Sequence, residues 1–512
     1  MGEYLLGLDE GTTGCKAVIF DFEGTVMGSD YREYPCYYPN PGWVEQTAED
    51  ITPALYATIK ATIADAGVDP QEIVAMAISS QGSVSGFLDK DANNLRPFIG
   101  WQDLRGTQYI EKVKELIPED EYYAITGWPV SPVPNITKFI WVRENQPEIW
   151  EKTAMLSQHQ DYFLRAFGAE DPYWADISTT SRTGLFDVDN HVWSQRVLEA
   201  LDIDVKKLPR VADGGKVVGR INADIAEKTG LAEGTLLCVG AHDQNCSTFG
   251  GGLVEGGTAV MVMGTFGSCF VGSDKPIRDP NGKLIVKGNV GPNNWTIEGF
   301  SNTAAASYRW YRDTFGGLEV AAGRLLKKDP YVLINEQIDS VPPGANGISF
   351  LSCLQSLAGR RDDPYARGAF IGMDLGTTKA DMARAVMEGI TNEMRDIVEA
   401  EREAGIEIKA IRVTGGATKS RMWNQMMADS FKVPIQILQT SETGCLGAAL
   451  YAGVGAGVYK DYKEAADRAV KIREEYEPNP ANFAAYDAAY ERWVTAYEAL
   501  AQGGYYKLLA QA

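Results

Sequence analysis

The chain has 512 residues, 45% of them apolar and 23% charged, with a formal net charge of −21. That length exceeds what one hydrophobic core supports and predicts two domains; the acidic balance excludes a nucleic-acid or anionic-membrane surface, since both require a basic face. The seven cysteines are scattered without a C-x-x-C pair, so they read as reduced thiols, and no apolar run is long enough to span a bilayer, which together predict a cytoplasmic protein.

The chain opens on a short apolar strand, "YLLGLD", then a Gly/Thr turn, a second strand "AVIFD" and the hairpin-like "FEGTV". A helical segment near residues 49–66 precedes a buried strand, "EIVAMAISS". Later, "GTLLCVGAHDQNCSTFGGG" runs as a strand into a polar turn, and "TAVMVMGTFGS" is a strand ending in a second Gly/Thr turn. An amphipathic helix from Asp381 to about Ala404 carries Met382, Val386, Ile390, Met394, Ile397 and Val398 at helical spacing. The segments "IRVTGG", "KSRMWNQMMADSF", "PIQIL" and "CLGAALYAGVGAGVY" then alternate strand, helix, strand and small-residue helix. The tail places Phe483, Tyr486, Tyr490, Trp493, Tyr497 and Leu500 on one helical face, an aromatic stripe that reads as core. Two halves that each begin strand, Gly/Thr turn, strand predict a duplicated α/β architecture with a cleft between, divided at the Gly-rich "FGGGLVEGG" into residues 1–250 and 251–512.

The first Gly/Thr turn, "GLDEGTTGCK", offers the chemistry of an oxyanion site. Gly11 lets backbone approach a phosphate, Thr12 and Thr13 add hydroxyl and N–H donors, and Lys16 is a nearby cation. Asp9, at the strand end, is suited to hold Mg²⁺ through water. A hairpin that merely needs glycine is the alternative for one such turn. The second, "MGTFGS" with Gly264 and Thr265, makes a two-sided clamp on a polyphosphate the better reading. Asp9 stands where the dinucleotide fingerprint requires glycine, and the chain has no G-x-x-x-x-G-K-[ST] and no H-R-D, so a dehydrogenase, a P-loop NTPase and a protein kinase are all disfavoured.

The motifs "LGLDEGTTGCKAVIFD", "GAHDQNCSTFGGG", "GTFGS", "GGATKSRMWNQMMAD" and "ETGCLGAALYA", together with "GAFIGMDLGTTKADMARAVME" (Gly368 to Glu388), resemble in order and spacing those of the FGGY family of carbohydrate kinases. The resemblance spans essentially the whole chain. It implies two actin/hexokinase-like (ribonuclease H-like) domains with an ATP cleft between them, and transfer of the γ-phosphoryl of ATP, with Mg²⁺, to a hydroxyl of a small sugar or polyol. A homodimer is compatible with it; a nucleic acid or a membrane is no part of it.

"VGAHDQNCSTFGGG" invites a metal reading, but His242 and Cys246 lack the convergent ligands zinc requires, and both read as packing residues. The resemblance makes Asp243 the general base, with Gln244 on a neighbouring substrate hydroxyl. It assigns "TGGATKSRMWNQ" to adenosine, with Gly415 and Gly416 leading into a helix and Asn424 near the base. On the sugar side, "AISSQGSVSGF" corresponds to the substrate loop. D-Xylulokinases carry Met-His and glycerol kinases Arg-Glu after the glutamine, whereas Gln81 is followed here by Gly82 and Ser83. Trp101 is expected to stack on the sugar; Asp103 and Asp161 are candidate hydroxyl contacts, with a helix cap as the alternative for Asp161. The expected acceptor is a ketopentose such as xylulose or a related polyol. Glycerol or gluconate is the alternative within the family, and a non-catalytic actin-like ATPase or sugar-sensing pseudokinase the alternative outside its chemistry.

Overall fold

The structure, a computed structural model, describes residues 3–170, 173–289, 291 and 294–509. Its frame is two mixed sheets. The first contains β1 (Tyr4–Glu10), β2 (Gly14–Asp21), β3 (Val26–Glu33), β4 (Ile73–Ser80), β5 (Val217–Arg220) and β6 (Leu236–His242), in the order β5-β6-β4-β1-β2-β3. The second contains β7 (Gly257–Met263), β8 (Gly267–Ser273), β9 (Ile285–Gly288), β10 (Trp295–Ser301), β11 (Ile408–Gly415), β12 (Ile435–Leu438) and β13 (Ile472–Tyr476), in the order β9-β10-β8-β7-β11-β12-β13.

The repeat expected from the two Gly/Thr turns is visible strand by strand. β1 runs antiparallel to β2 and parallel to β4, which is parallel to β6. β7 likewise runs antiparallel to β8 and parallel to β11, which is parallel to β12. Both glycine turns therefore occupy the same place, the loop after the first strand of each unit. Ligands of open α/β sheets gather outside the carboxyl ends of the parallel strands, and both turns lie there.

Seven helices matter for the site: α1 (Ala48–Ala66), α2 (His159–Ala166), α3 (Asp243–Gly250), α4 (Lys379–Glu403), α5 (Arg421–Phe431), α6 (Thr443–Gly455) and α7 (Phe483–Gln502). α1 starts where the Thr47 side chain accepts the Asp50 N–H and stops at Gly67 in the left-handed region, φ +64°. Its Ile51, Leu55, Ile59 and Ile63 bury one face of the first sheet together with Leu6, Leu8 and Ile78. The long amphipathic α4 begins at a Thr378/Asp381 capping box and packs Val386, Ile390, Met394 and Ile397 on the second sheet. The aromatic stripe of α7 is core as expected, with Trp493 stacked between Tyr490 and Tyr497 at centroid separations of 6.4 and 6.5 Å.

The packing does not follow the chain division at residue 250. α6, from the second half of the sequence, lies on the first sheet with Leu446, Ala449 and Leu450 against Leu5, Ala75 and Ala77. It crosses α3 with backbone against backbone. A Cβ on Gly447 would sit 1.9 Å from the Cys246 carbonyl oxygen, and one on Gly250 would sit 2.0 Å from the Thr443 carbonyl oxygen. The run of small residues in "CLGAALYAG" is thus the requirement of a helix pair at van der Waals contact.

Candidate active site

Three strands of the first sheet end at one place. Asp9 and Glu10 close β1, Ser79 and Ser80 close β4, and His242 closes β6 immediately before Asp243 opens α3. Asp9 Oδ1 accepts a hydrogen bond from Ser79 Oγ at 2.5 Å, which fixes the carboxylate at the strand end. Burial pushes the Asp9 carboxyl up to about 7, with the charges of Asp243 and Glu10 in the same sense and the Ser79 bond against it.

Asp243 faces a cavity of about 370 Å³. Its Oδ1 takes the Gln244 backbone N–H at 2.6 Å and lies 2.8 Å from His242 Nε2. Burial works to raise this carboxyl, but His242, Arg182 and the Gln244 amide outweigh it and hold the group below the usual carboxylate value. His242 moves the other way. Burial, joined by the charges of Arg182 and Lys287, lowers it to about 4, so near neutrality it is an uncharged imidazole donating Nε2–H to Asp243. The packing role expected for His242 is corrected accordingly: it is buried, and it holds the carboxylate. Cys246 is buried and simply packs.

The two Gly/Thr turns converge on this cavity, Thr12 from one side and Phe266 and Ser268 from the other. In the first, Gly11 N–H donates to the Gly14 carbonyl at 3.0 Å, and the Thr12 hydroxyl accepts from Trp101 Nε1 at 3.0 Å and reaches Gln81 Oε1 at 3.3 Å. Thr13 is exposed. In the second, Gly264 N–H donates to the Phe266 carbonyl at 3.0 Å, and Thr265 is exposed. Gly415 closes β11 opposite Met263, so the Gly415-Gly416 turn adjoins the second clamp turn. Lys16 differs from its expected role, for its ammonium is 2.6 Å from Glu442 Oε2 and ties β2 to the segment entering α6. Asn424 is buried in α5, where its Nδ2 holds the Thr418 carbonyl at 3.1 Å and so fixes the turn after Gly416.

On the sugar side, Gly82, Trp101 and Gln244 line the cavity. Gln81 lines it too, but its amide is committed to the protein: Nε2 lies 2.8 Å from Glu10 Oε1 and 3.0 Å from Gln46 Oε1, in a buried network that His159 completes at 3.0 Å from Glu10. It braces the first turn. Ser83 lies one step behind the wall, its N–H donating to Gln158 Oε1 at 3.1 Å.

Asp103 and Asp161 do not line the cavity. Asp103 is fully buried, with Oδ1 and Oδ2 each 2.8 Å from the Arg105 guanidinium and the Val44 N–H donating to Oδ2 at 2.6 Å. Asp161 caps α2 from within, accepting Ser157 Oγ at 2.6 Å and the Gln158 N–H at 3.0 Å. Asp103 is thus paired within its own loop, whereas Asp161 spends Oδ1 on the cap and leaves Oδ2 buried without a partner. Among the lining residues that the sequence did not disclose are Trp128, Arg182, Glu298 and Phe300. Glu298 is held ionised by Lys287, whose Nζ is 2.8 Å from Oε2.

Among the described residues no group of three or more His, Cys, Asp or Glu could hold a metal ion. Mg²⁺ needs fewer protein ligands, keeping water and phosphate oxygens around one or two carboxylates, and Asp9 with Asp243 nearby fits that demand.

Comparison with known proteins places the whole arrangement. The N-terminal-domain model of the FGGY family of carbohydrate kinases matches residues 4–250, and its C-terminal-domain model matches residues 259–456. A glycerol kinase of Desulforamulus reducens is 30% identical over 91% of this chain and 92% of its own length. A xylulose kinase of Staphylococcus epidermidis is 28% identical over 97% and 96%, and a gluconokinase of Bacillus subtilis 28% identical over 91% and 90%. The ligand-bound xylulose kinase of Lactobacillus acidophilus superposes with a TM-score of 0.87 at 25% identity, covering 97% of this chain and 98% of that one.

Proposed function

The chain belongs to the FGGY family of carbohydrate kinases, and from that premise we propose that it transfers the γ-phosphoryl of ATP to a hydroxyl of a ketopentose, such as a xylulose, or of a related polyol. The observation that carries the choice of acceptor is the cavity beside Asp243. At about 370 Å³ it is far larger than a three-carbon triol fills, and its wall at Gly82 is backbone with the Arg182 side chain packed against it.

Asp243 accepts the proton of the acceptor hydroxyl as that oxygen bonds to phosphorus and the bond to the ADP oxygen breaks. A carboxylate is a weak base toward an alcohol at rest, and it suffices because the hydroxyl becomes acidic only as the O–P bond forms. The neutral His242 keeps Asp243 ionised and aimed, since its single Nε2–H satisfies the oxygen that would otherwise turn away. Gln244 and Trp101 orient the sugar from the side and rim of the cavity. The backbone of the turns at Gly11–Thr13 and Gly264–Thr265 cradles the phosphates, and Gly415-Gly416 with the turn that Asn424 holds adjoins the nucleotide. Mg²⁺, carried by Asp9 and the phosphate oxygens, would neutralise charge on the transferring group.

An ADP-release assay over pentuloses, pentitols, glycerol and aldonates tests this reading. Turnover at least about tenfold higher with a ketopentose or pentitol than with glycerol or gluconate is expected. The reverse preference overturns the acceptor assignment, and silence with every acceptor despite ATP binding would favour a non-catalytic role.

A further inference from the structure

Position 82 has no room for a side chain. A Cβ built on Gly82 would lie 2.5 Å from Arg182 Cδ, 2.8 Å from Arg182 Nε and 2.5 Å from His242 Cδ2. Arg182 reaches this spot from a one-turn helix, Ile177–Thr180, that Asp176 caps by accepting the Ser178 N–H at 2.6 Å. Its own backbone is pinned, with the N–H donating to the Thr179 carbonyl at 3.1 Å and the carbonyl accepting the Ser83 hydroxyl at 3.3 Å. The guanidinium stacks 4.8 Å over the Trp128 ring and forms part of the cavity wall.

That guanidinium is chemically unfinished. Nε is buried without a partner, and among the described residues the head group makes no ion pair and no side-chain hydrogen bond. Asp243 and Glu298 act on it only through space. A buried Nε–H without an acceptor is costly, and the guanidinium lies on the cavity wall, where a ligand can supply acceptors. A planar fork of this kind matches two oxygens on neighbouring atoms.

We propose that Arg182, rather than the residue after Gln81, sets the acceptor specificity of this site: its guanidinium fills the space left by Gly82 and donates to a pair of neighbouring oxygens on the sugar. The inference rests on the sugar-kinase reading above and adds to it the group that recognises the acceptor beyond its reacting hydroxyl. Vicinal hydroxyl and carbonyl oxygens of a ketopentose and the carboxylate of an aldonate share this chemistry, and the acceptor panel separates them.

The test is steady-state kinetics of the intact enzyme with its best acceptor. Arg182→Ala is expected to raise the sugar KM on the order of 10- to 100-fold while the KM for ATP stays within about twofold. Arg182→Lys keeps the charge and loses the fork, and a sugar KM raised about tenfold is expected even if the alanine variant melts early. Gly82→Ala should also weaken the sugar, since its Cβ would displace both Arg182 and His242. Sugar KM values within about threefold of wild type in both Arg182 variants would overturn the proposal. A wild type silent on every acceptor would instead bring down the underlying reading, and this one with it.

Discussion

His242 Nε2 and Asp243 Oδ1 are 2.8 Å apart, at the junction where β6 becomes α3. The pair makes the base a fixed carboxylate rather than a freely turning one. Asp243→Asn removes the proton acceptor and keeps the shape. Its kcat is expected to fall by about 10²- to 10⁴-fold with the Kd for ATP unchanged. Equilibrium binding of a nucleotide beside single-turnover kinetics checks both halves, and near-normal turnover would refute the assignment.

Removing the imidazole should change the pH profile more than the affinity. His242 helps hold Asp243 below the usual carboxylate value, so His242→Ala allows the carboxyl to rise. The acid limb of the kcat/KM profile should then move to higher pH. Because burial keeps His242 itself near 4, the wild-type profile should show no inflection from it between pH 6 and 7. An acid limb at the wild-type position in His242→Ala would show that the imidazole does nothing to the base.

Asp161→Asn separates a cap from a substrate contact. Its Oδ1 is spent on Ser157 and Gln158, so the substitution should cost about 1 kcal/mol of stability and leave the sugar KM unchanged. Gln244→Ala should do the opposite. A sugar KM raised tenfold or more (about the loss of one hydrogen bond to substrate) in Asp161→Asn would return it to the binding site.

Glu401 on α4 is fully buried, with both carboxyl oxygens lacking hydrogen-bond partners, and burial raises it from 4.5 to about 8. The folded protein therefore holds a proton that the unfolded chain releases above its ordinary value. Unfolding gains as pH rises from 4.5 toward 8, so this group's penalty is absent in acid and complete above its folded pKa. Glu401→Gln should melt roughly 2–5 °C above wild type at pH 8.5 and converge with it near pH 4.5. Parallel melting curves at both pH values would contradict the buried neutral acid.

Gly447→Ala should lower the melting temperature, since its Cβ would meet the Cys246 carbonyl at 1.9 Å. About 1–3 kcal/mol is the expected loss, or more if α3 cannot shift. An unchanged melting temperature would mean that the two helices have slack.

What the sequence disclosed was what short segments specify by themselves. A strand ending in Asp9 and a Gly/Thr turn, repeated at Gly264, was enough for the paired units, because turn chemistry and strand periodicity are local. Asp243 was legible through its motif. Asp103 and Asp161 were not, because a carboxylate's partner is chosen by the turn it sits on. Arg105 two residues on, and the Gln158–Asp161 spacing of a capping box, were the signals available. Arg182 could not be read at all. Its meeting with Gly82 joins two loops far apart in the chain, and only the folded chain shows that one side chain fills the other's space. Lys16 escaped for the same reason, its partner Glu442 lying in the other half of the sequence.

The crossing of α3 and α6 bears on motion. Carbonyl oxygens seated where side chains are missing leave no travel along either helix axis, yet they do not oppose a change of tilt. The joint thus resembles a bearing: it permits swing and forbids slip. α3 begins with Asp243, and α6 follows the segment that Lys16 grips. A tilt of one helix on the other would therefore pivot at Cys246 and Gly250, within two turns of Asp243.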